Sequence, residues 1–382
     1  MPEREIHPGW GESPWTIDFA PARQEPPREA DYVVVGGGFA GLAAAAWLRK
    51  LAPDRQVVLL EAGRLGAGAS GRTGGIALAE TAAGDFPGLG DVLGGFRKIL
   101  GDLEVDGELA LPGAWEIGRM DARKNSSIDW NDSGRLRAVR EVEGGTVDPG
   151  KLVGGLGRAA SREGATIVED CTVEELEWGE RPRLVVRRRG NGGIEKVSAG
   201  KILLATNALS LDLTSPADGV HPRLTLAATT EPIEEERLRA AGLAGRKPFY
   251  TVDLPYLWGR VMADNSVLWG AGLVSARDER HLETVRVDDA EARGMFAALE
   301  KRVRGLHPAL AEVRFARRWG GPILFRDSWR PIFDWHPQAR KARNGIVLGA
   351  FAGHGVALTS YLAKWAAEAL VAGRSLPAWA KV

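Results

Sequence analysis

The chain has 382 residues, which is too long for one ordinary hydrophobic core and predicts two domains. It carries 50 Lys and Arg residues against 50 Asp and Glu residues, so its zero net charge gives no reason to expect nucleic acid or an anionic membrane as a partner. No apolar run reaches the ~18–20 residues of a membrane span. The polar N-terminus up to Trp10 lacks the apolar core of a signal peptide.

The cysteine and histidine content bounds the class of protein further. Cys171 is the single cysteine, so no internal disulfide can form, and a cytoplasmic location is expected. The six histidines are scattered along the chain and the cysteine has no second cysteine beside it. We therefore expect no metal site.

The N-terminal part of the chain predicts a short α/β unit. Residues 1–30 are rich in proline and charge and predict an arm on the surface. The β-branched run at 31–35 predicts a buried strand, the alanine-rich stretch at 42–51 predicts a helix, and residues 56–61 predict a second strand. Strand, turn, helix and strand together take about thirty residues, the length of a βαβ motif.

A glycine-rich loop at residues 62–75, called the glycine loop below, follows where a plain nucleotide-binding fold often starts another helix. Beyond it, the sequence predicts helices at 149–163, 288–304 and 356–371, buried strands at 201–206 and 345–349, a hairpin turn at 190–193, and antiparallel sheet within 220–275.

The turn after the first strand carries a G-x-G-x-x-G pattern. Gly36 permits a tight turn, Gly38 lets the backbone approach a pyrophosphate, and Gly41 lets helix and strand pack closely. The N–H groups that begin the helix, from Phe39 and Ala40 onward, and the positive end of its dipole favour phosphate groups.

Glu61 closes the second strand, ~20 residues beyond the glycines as the motif requires. Its carboxylate suits both hydroxyls of an adenosine ribose and would repel a 2′-phosphate, which disfavours NADP. The alternative is a strand-to-helix turn with incidental glycines, since the chain has 49 of them.

The glycine loop favours FAD over NAD. A backbone without Cβ atoms can lie flat against a long ligand, and Ser70 and Arg72 offer donors within the loop. An extended FAD molecule needs such a track for its ribityl and flavin parts. The alternatives are a flexible surface loop, and an NAD-dependent dehydrogenase that uses the same fingerprint.

These motifs resemble those of the FAD-dependent D-amino-acid oxidase and glycine oxidase family, and within it the branch that contains γ-glutamylputrescine oxidases. The resemblance extends from about Trp15 to the C-terminal helix, and it depends on residues 31–41, 58–62, 68–75, 204–208 and 353–356. It implies an α/β fold with a discontinuous Rossmann-type FAD-binding domain and an inserted antiparallel-sheet α+β substrate domain. The FAD-binding segments would be 31–80, 145–218 and 320–382, and the substrate segments 81–144 and 219–319.

The resemblance also implies roles for individual residues. The backbone of Val173 would contact adenine, and Ala205 and Thr206 would lie near the cofactor. Within the glycine loop, the other positions expected at the cofactor are Ala62, Gly74 and Gly75. The last helix would begin over the flavin pyrimidine, at Gly353, Gly355, Val356 and Ala357.

The start of that helix has a physical role in flavin chemistry. Backbone N–H groups and the helix dipole stabilise the negative charge of reduced flavin. The alternative for residues 353–355 is an ordinary strand-to-helix turn. Cys171 lies near the expected adenine end, and residues 70–75 contain no histidine, so FAD is expected to be bound without a covalent link.

The substrate side is expected to involve His354, Arg260, Tyr256 and Trp258. The two aromatic residues, together with Trp269, Trp319 and Trp329, would form apolar walls and hold a cationic amine. Arg260 or Arg330 would bind a carboxylate as a bidentate fork, and His354 is the polar candidate near the flavin. The alternatives are core packing for the aromatic residues, solvated surface charge for the arginines, and a structural hydrogen bond for the histidine.

The expected function is FAD-dependent oxidation of the C–N bond of a small amine or amino acid by hydride transfer, giving an imine that hydrolyses. Oxygen or another electron acceptor would complete the cycle. Several amine oxidases of the family carry a lysine over the flavin, and residues 267–270 contain none, so oxidase and dehydrogenase both stay open. The remaining alternative is a flavin-binding protein without turnover.

Overall fold

The computed structural model of the protein describes residues 9–81, 84, 86–119, 127–189, 193–216 and 219–380. Residues 1–8 of the predicted arm and residues 190–192 of the predicted hairpin turn lie outside this part of the chain.

The elements alternate along the chain in a mixed α/β order. The described strands are β1 (Glu29–Val35), β2 (Val57–Leu60), β3 (Ile76–Leu78), β4 (Ala114–Gly118), β5 (Asp129–Asn131), β6 (Arg135–Val142), β7 (Gly144–Thr146), β8 (Thr166–Val168), β9 (Cys171–Glu177), β10 (Arg183–Arg188), β11 (Ile194–Leu204), β12 (Val220–Thr230), β13 (Phe249–Thr251), β14 (Trp258–Val261), β15 (Val267–Ser275), β16 (Phe315–Arg326), β17 (Ile332–Trp335) and β18 (Gly345–Gly349). The described α-helices are α1 (Phe39–Leu51), α2 (Val92–Asp102), α3 (Pro149–Arg162), α4 (Leu211–Thr214), α5 (Glu235–Ala240), α6 (Glu279–Thr284), α7 (Ala290–Leu306) and α8 (Val356–Ala372).

The first large sheet has the βαβ unit at its centre. Its strand order is β17-β18-β11-β1-β2-β8, and β10 joins β11 to β9 as an antiparallel extension. The pairs β1-β2, β1-β11, β11-β18 and β2-β8 are parallel, so the carboxyl ends of these strands meet at one edge. All four residues of β2 are buried, as expected for a central parallel strand made of valine and leucine.

Helix α1 packs against both α3 and α8 beside this sheet. Its run of alanines, residues 43–46, is completely buried. Because alanine has no side chain beyond Cβ, the neighbouring helices can approach α1 closely. This packing fixes the start of α1 relative to the strand ends, where the glycine fingerprint lies.

The second large sheet has the order β16-β12-β15-β14-β13-β4-β6-β5 and is antiparallel except at the β13-β4 pair. One of its faces belongs to a core shared with α7, which includes Phe249, Trp269 and Trp130. The ring centroids of Phe249 and Trp269 are 5.0 Å apart, and those of Trp130 and Trp269 are 5.6 Å apart. The opposite face turns toward the glycine loop.

The predicted elements agree closely with the observed ones. The strand at Gly345–Gly349 has the predicted bounds, and residues 62–75 contain neither helix nor strand. Strand β16 continues to Arg326, so residues 320–326, assigned from sequence to the FAD-binding segments, lie in a strand of the second sheet. Within the described ranges, no helix has both the length and the apolar character needed to cross a membrane.

Candidate functional site

The turn between β1 and α1 shows why glycine occupies the first and third fingerprint positions. Gly36 has a φ of +108°, and a Cβ there would lie 2.7 Å from the carbonyl oxygen of Ala205. A Cβ on Gly41 would lie 1.8 Å from the carbonyl oxygen of Gly36. The first-turn N–H groups of α1, including that of Ala40, have no partner inside the helix, which creates a ready site for an anion.

Glu61 follows β2 directly, and its carboxylate forms a hydrogen bond with this turn. Its Oε2 accepts a hydrogen bond from the N–H of Gly37 at 2.6 Å, and its Oε1 accepts one from the N–H of Gly63 at 2.8 Å. Burial raises the pKa of Glu61 above its ordinary value, although the two N–H donors act to lower it. A carboxylate has about four acceptor positions, so capacity remains for the hydroxyl groups of a ligand. The neighbouring Ala62 is half-buried at the start of the glycine loop.

Ser70 brings the glycine loop to the start of α1. Its Oγ accepts a hydrogen bond from the N–H of Phe39 at 2.9 Å, and a Cβ on Gly38 would lie 2.6 Å from the same Oγ. The second glycine of the fingerprint therefore leaves room for this serine. As a result, the fingerprint and the glycine loop form one continuous surface.

The side chain of Arg72 makes several hydrogen bonds within the protein. Its guanidinium donates to the carbonyl oxygens of Ala67 at 3.1 Å, Gly11 at 2.7 Å and Gly320 at 3.2 Å. Burial lowers the pKa of Arg72. These bonds tie the glycine loop to the arm and to β16. The Nε and Nη1 donors of Arg72 thus serve protein carbonyls, and its predicted contact with the cofactor stays a prediction.

The end of β11 borders the fingerprint turn. The N–H of Ala205 donates to the carbonyl oxygen of Val35 at 2.8 Å. The neighbouring Thr206 Oγ1 is buried and has no hydrogen-bond partner among the described residues. A buried hydroxyl without a partner is uncommon in folded proteins, which makes Thr206 a candidate for contact with a ligand.

Strand β9 begins beside Glu61, since the N–H of Cys171 donates to the carbonyl oxygen of Glu61 at 2.9 Å. Val173 is buried two residues further along this strand. Burial raises the pKa of the Cys171 thiol to about 12, so it is protonated at neutral pH. The cysteine therefore lies at the Glu61 end of the site as an unreactive core residue.

The turn between β18 and α8 lies against β16. The N–H of Ala352 donates to the carbonyl oxygen of Leu324 at 3.1 Å, and Gly353 has a φ of +87°. Gly355 is the N-cap of α8, and Val356 and Ala357 form its buried first turn. The N-terminus of this long helix is thereby presented beside the second sheet.

His354 lies within the same turn. Both of its ring nitrogens are buried, and neither has a hydrogen-bond partner in the part of the chain that the structure describes. Burial lowers the pKa of His354 to about 4, so the ring is neutral at neutral pH. Buried ring nitrogens without partners are uncommon in folded proteins, which makes His354 a second candidate for contact with a ligand.

Trp258 and Arg260 lie two residues apart on β14 and so share one face of the second sheet. A Cβ on Gly74 would lie 2.4 Å from Cζ3 of Trp258, and a Cβ on Gly75 would lie 2.9 Å from Nη1 of Arg260. Both side chains therefore press against the end of the glycine loop. The structure brings together two of the predicted substrate-side residues and two of the predicted cofactor-side glycines.

Part of the Arg260 guanidinium is occupied by a hydrogen bond within the protein. Its Nη1 donates to the carbonyl oxygen of Val147 at 2.6 Å, while its Nε is buried with no partner among the described residues. Burial lowers the pKa of Arg260 to about 10. One corner of the guanidinium therefore holds the chain before α3, and the expected pairing of Arg260 with a carboxylate stays a prediction.

Other predicted residues lie away from this contact. Tyr256 is in the connection before β14 with 45% of its surface exposed. Trp329 and Arg330 are exposed in the connection after β16. Trp269 is completely buried on the opposite face of the second sheet, where it packs as core.

Two polar residues that the sequence analysis missed lie on the same face as Trp258. Tyr250 pairs with Trp258 across β13 and β14, and with Glu116 across β13 and β4. The hydroxyl of Tyr250 donates to Oε2 of Glu116 at 3.1 Å, and Arg140 donates to the same oxygen at 2.7 Å. Alternation in β13, with Phe249 in the core and Tyr250 facing away from it, is the sequence signal that could have found them.

Comparison with known proteins identifies the family. The family model described as DAO, FAD dependent oxidoreductase, matches residues 31–85 and 107–369. The chain is 28% identical to γ-glutamylputrescine oxidoreductase of Escherichia coli strain K12, over 89% of this chain and 83% of the relative. It is 25% identical to sarcosine oxidase subunit beta of Rhizobium meliloti, over 84% of this chain and 80% of the relative.

The fold agrees with this assignment. The crystal structure of glycine oxidase from Geobacillus kaustophilus matches with a TM-score of 0.68 and 17% identity, over 92% of this chain and 96% of that one. The family and the mixed α/β fold predicted from the sequence are both confirmed. The chain is a member of the DAO family of FAD-dependent oxidoreductases.

Proposed function

We propose that this protein uses FAD to oxidise the C–N bond of a small amine or amino acid. Membership of an FAD-dependent oxidoreductase family supports the cofactor and the reaction class. The named relatives γ-glutamylputrescine oxidoreductase and sarcosine oxidase subunit beta support an amine or amino acid as the substrate. When bound, FAD supplies the acceptor for a hydride from the substrate carbon bonded to nitrogen, and the resulting imine hydrolyses.

The observation that carries the proposal is the track that joins the fingerprint turn to the second sheet. It starts at Gly36, passes Ser70, which contacts the first turn of α1, and ends where Gly74 lies against Trp258. Glu61 lies at one end of this track and the face of the second sheet at the other. A long ligand with a nucleotide at one end and a ring at the other fits such a path.

In this proposal the nucleotide end is held by backbone groups and one carboxylate. The first turn of α1 binds the pyrophosphate through the N–H groups of Ala40 and Gly41, since that of Phe39 already donates to Ser70. Glu61 accepts hydrogen bonds from the ribose hydroxyls, and Val173 lies beside the adenine. Thr206, next to Ala205, gains through the cofactor the partner that its buried hydroxyl lacks in the protein.

The flavin end is proposed to lie between the glycine loop and the start of α8. The first-turn N–H groups of α8 and the neutral ring of His354 then supply donors where negative charge develops on the cofactor. Gly74 and Gly75 allow close approach of the loop. The thiol of Cys171 is protonated and at the Glu61 end, which supports non-covalent binding.

The substrate is proposed to lie over the sheet face that carries Trp258, Tyr250 and Glu116. Adjacent strands are about 4.8 Å apart, so Glu116, two strands from Trp258, is about 10 Å away across the sheet. Its carboxylate attracts a cationic amine, and the indole of Trp258 provides an apolar wall at the flavin end. A cytoplasmic location stays a prediction from the sequence, and so do the domain segments.

The test begins with the visible spectrum of the purified protein. Flavin bands that pass into the supernatant as FAD after acid denaturation support the proposed cofactor and its non-covalent binding. Colour that stays with the pellet contradicts non-covalent binding. A colourless protein that also fails to take up added FAD contradicts the proposal and favours the NAD alternative.

Substrate and acceptor are tested next. Anaerobic addition of amines and amino acids should bleach the bound flavin if the proposal is correct, whereas no bleaching across a broad panel favours a flavin-binding protein without turnover. Reoxidation of the bleached enzyme by air, compared with reoxidation by an artificial acceptor, then separates oxidase from dehydrogenase. Val267–Ser275 contains no lysine, and until this comparison is made both oxidase and dehydrogenase stay open.

A further inference from the structure

We propose that the arm segment, residues 9–19, positions the glycine loop for FAD, and that Trp15 is its principal positioning residue. The inference deepens the proposed function, because it assumes that FAD lies along this loop. The family model begins at residue 31 and so does not include the arm segment. Its role therefore follows from contacts in this chain.

Three consecutive carbonyl oxygens of the glycine loop are each held by a side chain from outside the loop. The hydroxyl of Ser13 donates to the carbonyl of Gly71 at 2.7 Å, and the indole N–H of Trp15 donates to that of Thr73 at 2.8 Å. Between them, the indole N–H of Trp319 on β16 donates to the carbonyl of Arg72 at 2.9 Å. Two of the three donors come from the arm segment.

These bonds fix the orientation of the loop's peptide planes. In a trans peptide the N–H points away from the preceding carbonyl. Donors on the carbonyls of Arg72 and Thr73 therefore turn the N–H groups of Thr73 and Gly74 away from Trp319 and Trp15. These N–H groups therefore lie on the side of the loop opposite the two indoles, and we propose that this side faces FAD.

The arm segment is itself anchored at both ends, so it can hold the loop. At one end Trp10 is buried in the core of the second sheet, and its carbonyl accepts from the N–H of Gly320 at 2.7 Å. At the other end Ile17 and Phe19 pack against the core of the first sheet. The segment thus crosses from one sheet to the other beside the glycine loop.

Trp15 also connects the loop to the substrate side. The guanidinium of Arg260 lies over its ring, 5.6 Å from the centroid. Trp15 and Trp258 pack against the same small cluster, which contains Leu268 and Trp319. A single half-buried indole therefore contacts the loop by its N–H and the sheet face by its ring.

The experiment compares Trp15→Phe with the wild-type protein after removal and readdition of FAD. Phenylalanine keeps an aromatic ring and deletes the N–H donor. Losing one ordinary net hydrogen bond predicts about fivefold weaker FAD binding, measured by flavin fluorescence, together with a shift in the visible bands of bound flavin. Ser13→Ala should also weaken FAD binding. The double variant should lose more FAD affinity than either single variant.

Trp365→Phe is the matched control. It removes an indole N–H that donates to the carbonyl of Ser375 at 3.0 Å, near the end of α8 and away from the glycine loop. Its FAD affinity should stay within twofold of the wild-type value. Its flavin spectrum should be identical to that of the wild type. Urea unfolding of each apo-protein separates a loss of global stability from a loss of FAD affinity.

The inference is overturned if the wild type binds FAD while Trp15→Phe and Ser13→Ala both bind it with unchanged affinity and an unchanged spectrum. It is also overturned if Trp365→Phe weakens FAD binding as much as Trp15→Phe does. A wild-type protein that binds no FAD would instead overturn the proposed function, so the two failures are distinguishable.

Discussion

Gly41 on α1 lies so close to the carbonyl oxygen of Gly36 that a Cβ on residue 41 would be only 1.8 Å from it. The neighbouring atoms are backbone, so they cannot move aside like the end of a flexible side chain. Gly41→Ala should therefore push α1 away from β1, with a cost of about 1–3 kcal/mol in the free energy of unfolding, typical of overpacking. Urea unfolding and FAD titration should show lower stability and lost FAD binding.

A glycine in open space provides the control for that variant. A Cβ on Gly294 in α7 would meet nothing within 4 Å. Gly294→Ala should leave FAD binding unchanged and stabilise the helix by up to about 1 kcal/mol, since alanine is the better helix former. Equal FAD affinity in Gly41→Ala and wild type would contradict the role given to the fingerprint turn.

Glu61→Gln tests the carboxylate that closes onto the glycine turn. An amide has only one acceptor oxygen, so it cannot accept from the N–H groups of both Gly37 and Gly63 and also from ribose hydroxyls. Hydrogen bonds to charged groups are worth about 1.5–3 kcal/mol, so FAD binding should weaken by about 10- to 100-fold. Asp91→Asn is the control. It removes the charge of a carboxylate that accepts a hydrogen bond from the N–H of Gly94 at the start of α2, and it should not change FAD affinity.

Gly270→Ala tests whether Trp258 forms part of the substrate site. A Cβ on Gly270 would lie 2.0 Å from Cζ2 of Trp258, so the indole must move off the sheet face. We expect kcat/KM for the amine substrate to fall at least tenfold, while FAD affinity changes much less, because the cofactor contacts proposed at α1 and Glu61 are untouched. Steady-state kinetics with the FAD-saturated enzyme would measure this split. Unchanged kcat/KM would remove Trp258 from the proposed substrate site.

Glu116→Gln tests the negative charge on the same face. The amide keeps the shape of the side chain and removes the charge that we propose attracts a cationic amine. KM for that amine should rise several-fold with little change in kcat. A neutral amide or alcohol analogue, used as a competitive inhibitor, should bind the variant and the wild type equally. If the inhibitor loses affinity as much as the amine does, charge attraction is not the role of Glu116.

The buried ring of His354 predicts a dependence of stability on pH. In the unfolded chain its pKa returns to the ordinary value of 6.5, whereas burial lowers it to about 4 in the folded protein. Between these values the unfolded state binds a proton that the folded state does not. The free energy of unfolding should be fully maintained above pH 6.5 and fall as the pH drops toward 4, by at most about 1.4 kcal/mol per pH unit.

His354→Gln should flatten this slope in urea unfolding of the apo-protein. Burial also lowers the pKa of His336 to about 4, so His336→Gln should remove a separate part of the same dependence. Identical slopes in wild type and His354→Gln between pH 7 and 5 would mean that burial does not lower the pKa of His354.

Local sequence was enough to predict the elements that hold the proposed nucleotide end. A β-branched run, three spaced glycines, an alanine-rich helix and an acid after the next strand are all decided by neighbours in the chain. The structure shows the physical basis in the positive φ of Gly36 and the clash that any Cβ on Gly41 would produce. The same local patterns placed β18 and α8, and with them the turn that contains His354.

Tertiary structure alone decided what each side chain contacts. The guanidinium of Arg72 donates to the carbonyl oxygens of Gly11 and Gly320, which are distant in sequence. Tyr250 and Glu116 meet because β13 pairs with β4, although 134 positions separate them. Sequence determined the nucleotide-binding turn because its constraints are steric and local. The contacts of the glycine loop with Trp15 and Trp319 depend on how the two sheets and the arm pack, and no local pattern encodes that.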